Sequence, residues 1–127
     1  VYLVKVSDGD VQKRDTFWEL LTPRVQAGVA APVAGDLAFL WTHETGLIAE
    51  VSFCDPVRGN AEKIRIVPRA IYHQPYLRPE WLADADREKT TIRSKLKCYR
   101  HSRIWGLSDD EVDELDRSRR ERAIPDN

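Results

Sequence analysis

Gly35-Asp36-Leu37-Ala38-Phe39-Leu40-Trp41, followed after Thr42-His43-Glu44-Thr45 by Gly46-Leu47-Ile48-Ala49-Glu50-Val51-Ser52-Phe53, is the stretch whose reading decides the fold. A Gly-Asp turn launches an apolar run ending in tryptophan, and a second apolar run follows a short polar break. In a strand, Leu37, Phe39 and Trp41 project to one side and Ala38, Leu40 and Thr42 to the other. The polar break is longer than a two-residue turn, so the pair predicts a β-hairpin with a loop.

Working outward, Tyr2 to Val6 is apolar and β-branched apart from Lys5 and predicts a strand, turned by Ser7-Asp8-Gly9-Asp10. Val11 to Val25 has helical spacing, with Val11, Trp18, Leu21 and Val25 near one face, and Pro23 breaks that helix or starts another. Lys63 to Val67 alternates as a strand, and Pro68 is expected to end its pairing. Ala70 to His73 reads as a short extension towards a sheet edge. Arg78 to Leu82 reads as a short helix with Pro79 at its first position. Ser108 and Glu111 form a capping box, and Leu107 can staple onto Val112, so a last helix starts there. From Arg117 onward the chain reads as a charged tail. The sum is an α+β domain of about five strands and three or four helices over residues 1–117, with 118–127 as a tail or linker.

A chain of 127 residues, 42% apolar and 32% charged, suits one globular core. No apolar run approaches the roughly 18–20 residues of a membrane span, and the opening lacks the parts of a secretory signal. Its two cysteines, Cys54 and Cys98, make no disulfide framework, so the expected compartment is the reducing cytoplasm. The valine start predicts a processed or excised piece of something longer.

The order of parts resembles the EVE family of the PUA-like superfamily, which also holds YTH and ASCH domains. Tyr2-Leu3-Val4-Lys5 is similar to its opening strand, Gly35-Asp36 to Trp41 to its Gly-Asp strand, and Gly46 to Val51 ends in the matching Ala-Glu-Val. Lys63 to Val67 resembles the next strand, and Arg103 to Leu115 the closing segment and helix. The likeness covers roughly residues 2 to 117 and rests on the ordered set rather than on one motif. Two departures stand out. Lys5-Val6-Ser7-Asp8 replaces the family's Lys-Ser-Glu-Pro, so its small polar pocket residue is either displaced to Ser7 or lost. The usual tryptophan before the Gly-Asp strand is also missing.

The resemblance implies a partly closed, mixed β-barrel with flanking helices and an aromatic pocket for one modified base. Stacking on an aromatic side chain contributes about 1–3 kcal/mol per base, which helps offset the few kcal/mol needed to take a base out of its stack. On this reading Trp41, with Trp18 or Trp105, walls the pocket, and Ser7 or Asp8 reads a base edge. Each has a packing alternative: Trp41 alternates with Leu37 and Phe39 as core residues do, and Trp18 lies on the stripe of Val11 and Val25. Trp105 precedes the last helix, and Ser7-Asp8-Gly9-Asp10 is ordinary turn chemistry. Trp81 reads as helix packing.

Net charge is only −1, yet Ile92 to Ile104 holds Arg93, Lys95, Lys97, Arg100 and Arg103 and no acid. Such runs are usually solvated surface. With Tyr99 and His101 interleaved, this one is also a candidate for phosphate contact. No nucleophile elbow, phosphate loop or dinucleotide fingerprint appears, and His43, His73 and His101 have no partner at metal spacing. The expectation is therefore a binding module, not an enzyme, with no cofactor or metal. Its expected partner is DNA carrying 5-methylcytosine or 5-hydroxymethylcytosine, in a modification-dependent restriction protein with a fused or partner nuclease domain. Alternatives are a reader of modified tRNA or methyladenosine RNA, or a protein-interaction or regulatory domain without a base pocket.

Overall fold

The computed structural model describes residues 1–21, 24–25, 28–57, 63–76 and 103–122. These form an α+β fold. The strands are β1 (Tyr2–Val6), β2 (Val11–Lys13), β3 (Trp18–Leu21), β4 (Arg24–Val25), β5 (Leu37–Thr42), β6 (Gly46–Phe53), β7 (Lys63–Tyr76) and β8 (Arg103–Gly106). A 3-10 turn at Asp8–Asp10 joins β1 to β2, and one helix, α1 (Asp109–Arg122), is present among the described residues.

All eight strands join one mixed sheet in the order β2-β3-β7-β6-β5-β1-β8-β4. β1 runs parallel to β5 and antiparallel to β8. The Gly-Asp hairpin forms as its alternation predicts, with β5 and β6 antiparallel. Gly35 at φ 91° turns the chain into β5, and Gly46 at φ 108° closes the hairpin; both angles favour glycine. Asp36 anchors the entry, its carboxylate accepting the Val33 N–H at 2.9 Å.

Two apolar clusters lie on opposite faces of the sheet. The larger takes Val4, Val6, Trp18, Leu20, Ala38, Leu40, Ala49, Val51, Phe53, Ile64, Ile66 and Ile104. Val11 of β2 and Val25 of β4, on the two outermost strands, both pack on this cluster. Each does so beside the cluster residue it pairs with, Leu20 for Val11 and Ile104 for Val25. β2 and β4 remain edges, with no ladder joining them among the described residues. The second cluster, on the outer face, holds Leu3, Phe39, Trp41, Leu47, Trp105 and Leu115, with Leu107 and Val112 against it. Helix α1 thus covers the outer face through Val112 and Leu115. Its capping box forms as expected: the Glu111 N–H donates to Ser108 Oγ at 3.2 Å, and the Ser108 N–H donates to Glu111 Oε1 at 3.1 Å.

Four expectations are corrected. Residues 11–13, 18–21 and 24–25 form strands, not a helix: Trp18 and Leu20 are buried while Glu19 and Leu21 are less so, an alternation of period two set by pairing of β3 with β7. Pro68 does not end β7. The ladder opposes Glu50 to Ala70 and Val51 to Pro68, leaving Arg69 as an extra residue, and a bulge is where a sheet tolerates proline. The charged run after Arg117 begins as helix, since α1 continues to Arg122. The strand count of about five is also too low. The short helix expected at Arg78 to Leu82 lies outside the described residues. Among the described residues no helix is long and apolar enough to cross a membrane.

Candidate functional site

A bulge builds the site. Between Leu40 and Trp41 the ladder steps from Ala49 to Leu47, so Ile48 has no opposite residue. Its side chain packs on the same face as that of Ala49, against the larger cluster, instead of alternating to the outer one. Ile48, with Val11 and Ile71, gives apolar walls to a cleft of about 320 Å³ beside the β5–β6 turn. Clefts of this volume are in the range that holds small ligands.

The polar and aromatic lining comes from five elements. Trp18 of β3 presents its indole, 6% exposed, and the Lys13 ammonium of β2 lies 4.9 Å from the ring centroid. Tyr72 of β7 borders the cleft while packing on the outer-face cluster, where the β6–β7 ladder passes from Ala49–Ile71 to Leu47–Tyr76. Thr42 ends β5, is 1% exposed, and its Oγ1 has no hydrogen-bond partner among the described residues. A buried hydroxyl is normally partnered, because leaving it unmade costs about 1–3 kcal/mol. Asp8 completes the rim.

Asp8 is held in place by the hairpin turn. Its backbone N–H donates to Glu44 Oε2 at 2.7 Å, Ser7 Oγ donates to Glu44 Oε1 at 3.1 Å, and Thr45 Oγ1 donates to Asp8 Oδ2 at 2.5 Å. Glu44 therefore ties the 3-10 turn after β1 to the β5–β6 turn, and fixes one wall of the cleft against the other.

The residues expected to share one pocket are divided between the two faces. Trp18 and Asp8 line the cleft. Ser7 stands beside it and is engaged with Glu44. Trp41 and Trp105, 3% and 4% exposed, lie in the outer-face cluster under α1. The physical reason is the pleat: Trp41 shares a side with Leu37 and Phe39, and that side faces the helix, whereas Thr42 faces the cleft. Arg93, Lys95, Lys97 and Arg100 lie outside the described residues, as do Cys98 and Trp81. Arg103 opens β8 opposite Lys5 and Arg24. Thr42 and Lys13 were missed as site residues. The sides assigned along β5 already put Thr42 opposite Trp41, but Lys13 was hidden by the helical reading of its segment.

On the outer face the Lys5 ammonium, in a residue 1% exposed, lies 5.4 Å from the Trp41 ring centroid, and His43 meets Trp41 edge-on at 5.5 Å. Burial, and then the Lys5 charge, push the His43 imidazole below its ordinary pKa, while Glu44, Asp10 and Asp8 pull it upward less strongly. The unfolded chain therefore takes up this proton before the folded one does. Stability contributed by neutral His43 is complete above about pH 6.5, the unperturbed value, and falls as pH drops below it until the folded pKa is passed. The melting temperature of wild type is expected to fall more between pH 7.5 and 5.5 than that of His43→Gln. Parallel pH curves for the two proteins would refute this.

A second depression of about 300 Å³ lies on the outer face, bordered by Val1, Leu37, Phe39, Glu50, Arg69 and Val112. Among the described residues no group of three or more His, Cys, Asp or Glu is set to hold a metal. Cys54 is half-buried without a disulfide, its thiol pushed up in pKa by burial. Compared with known protein families, curated proteins and solved structures, the chain matches none.

Proposed function

We propose that this chain is a nucleic-acid binding module that seats one modified base, taken out of its stack, in the cleft walled by Trp18. The observation that carries the reading is an indole at a cleft also lined by Thr42, whose buried hydroxyl has no partner among the described residues. A flat, partly polar ligand satisfies both. The ligand class is the one the EVE resemblance implies, 5-methylcytosine or 5-hydroxymethylcytosine in DNA, read on behalf of a nuclease in a modification-dependent restriction protein.

The chemistry suits the ligand. The Lys13 ammonium over Trp18 is a weak cation–π contact, about 0.5–1 kcal/mol where exposed, and a base that stacks on the indole displaces it. Lys13 is then free to meet the phosphate of the same nucleotide. Val11, Ile48 and Ile71 offer apolar surface to a 5-methyl group, whose burial contributes about 0.8 kcal/mol. The basic stripe from Arg93 to Arg103 supplies further backbone contacts and makes binding salt-dependent.

Trp18→Leu keeps the position apolar, at some loss of volume, and removes the π face. It is expected to weaken binding of an oligonucleotide containing 5-methylcytosine by about 1–3 kcal/mol, measured by fluorescence polarisation, and to erase the preference over unmodified cytosine. Salt-dependent residual binding should persist. If a Trp18→Leu variant of unchanged melting temperature retains the preference, the base does not sit on Trp18.

A further inference from the structure

We infer that Thr42 and Asp8 are the specificity-determining residues of the cleft and select a base whose edge carries an amino group, as cytosine and adenine do, over one with a carbonyl there. The inference rests on the reading of the cleft as a base site and goes past it, because an aromatic wall alone accepts every base.

Thr42 supplies the first part. Its hydroxyl is buried and has no hydrogen-bond partner among the described residues, and its residue lines the cleft. Rotation about χ1 exchanges the positions of hydroxyl and methyl between staggered wells, so an entering polar group can reach the oxygen. Such a group gains a hydrogen bond that the empty protein lacks. A threonine hydroxyl both donates and accepts, so Thr42 demands a polar edge without deciding its sign.

Asp8 decides the sign. A carboxylate only accepts hydrogen bonds. Oδ2 already receives the Thr45 hydroxyl, and Oδ1 receives nothing among the described residues. Asp8 is exposed at the rim, where the Thr45 hydroxyl holds its carboxylate and Glu44 holds its backbone N–H. A ligand donor can pair with Oδ1, whereas a ligand carbonyl meets an acceptor with an acceptor. A site built to hydrogen-bond one group rejects the analogue lacking it far more strongly than an apolar pocket rejects a missing methylene. The unpartnered hydroxyl and the half-used carboxylate therefore act together.

Thymine and 5-methylcytosine test this directly, since both carry the 5-methyl group and they differ at the amino edge. Single-stranded oligonucleotides differing only at that base are titrated against the full chain. Wild type is expected to bind 5-methylcytosine about tenfold or more tighter than thymine. Asp8→Asn, which offers a donor and an acceptor, should bring the two within about twofold. Thr42→Val should weaken 5-methylcytosine binding about tenfold while melting no lower than wild type, because it removes an unpartnered buried hydroxyl; Thr42→Ser, which keeps the hydroxyl, should keep the affinity. Equal wild-type affinity for the two bases, with both lost in Trp18→Leu, would overturn the amino-edge inference and leave the base site standing. Binding indifferent to Trp18→Leu would overturn both. Full affinity in a folded Thr42→Val variant would remove Thr42 from the site.

Discussion

Trp41→Ala is expected to destabilise the fold by about 3–5 kcal/mol, the usual cost of truncating a buried tryptophan. Trp41 is 3% exposed and shares its cluster with Leu3, Phe39, Leu47, Trp105 and Leu115. Removing the indole leaves a void between the sheet and α1, which the surrounding strands, fixed on both sides by ladders, cannot collapse to fill. It also takes away the ring face beside the buried Lys5 ammonium and the edge contact of His43. The buried charge makes the loss larger than area alone gives, since a cation deprived of a favourable contact stays out of water. Urea denaturation measures the effect as a lower midpoint at unchanged slope. A variant that melts like wild type but has lost modified-base preference would show instead that the pocket lies on the Trp41 face, and the cleft on the opposite face would be the wrong site.

Leu115→Ala should cost about 2–5 kcal/mol and loosen the helix that covers the outer face. The sequence of α1, Asp-Asp-Glu-Val-Asp-Glu-Leu-Asp-Arg-Ser-Arg-Arg-Glu-Arg, offers little but Val112 and Leu115 to bury. A helix of this length is marginal by itself and depends on its docked face. Leu115 is fully buried, whereas Val112 is only partly so, and so Leu115 carries most of the docking. The capping box remains intact in the variant but contributes only about 1 kcal/mol. Circular dichroism should show helical signal lost at lower denaturant than in wild type. A Leu115→Ala protein with unchanged denaturation would mean that the helix is held by something other than this contact.

What the sequence discloses here is what is encoded over short distances. The β5–β6 hairpin, β1 and the start of α1 are each specified by neighbours: a two-residue alternation, a positive-φ glycine at the entry to β5 and another at the β5–β6 turn, and a serine three residues before a glutamate. Residues 11–25 misled for the same reason. Val11, Trp18, Leu21 and Val25 fit a helical period locally, and the pairing that makes 18–21 a strand is with residues 63–66, far along the chain. Pro68 likewise ends a strand by local rules, and only the bulge at Arg69 lets β7 continue.

The site was half legible. Alternation correctly placed Trp41 and Thr42 on opposite sides of β5, but both sides of that strand are buried, so polarity gave no sign of which one lines a cleft. Asp8 and Trp18, singled out by residue type as a carboxylate and an indole, both line the cleft. The Thr42 hydroxyl could not be singled out in this way, because its value lies in a missing partner, and a missing partner is visible only in three dimensions.

The position of β1 has a consequence for how the chain is made. β1 sits inside the sheet, with β5 on one side and β8 on the other, and Tyr2 pairs with Gly106 about 100 residues later. At a synthesis rate of roughly 5–20 residues per second, one flank of this apolar strand stays open for several seconds after the ribosome has released it. Folding by such distant pairings is intrinsically slow, on the order of milliseconds to seconds for sheet proteins. During that interval Leu3, Val4 and Val6 offer an unpaired hydrogen-bonding edge to any neighbouring chain. Lys5, in their midst, is then the one charge on the strand, and an inward-pointing charge is a known guard against edge-to-edge association. The residue that ends up buried beside Trp41 thus protects the nascent strand until β8 arrives to cover it.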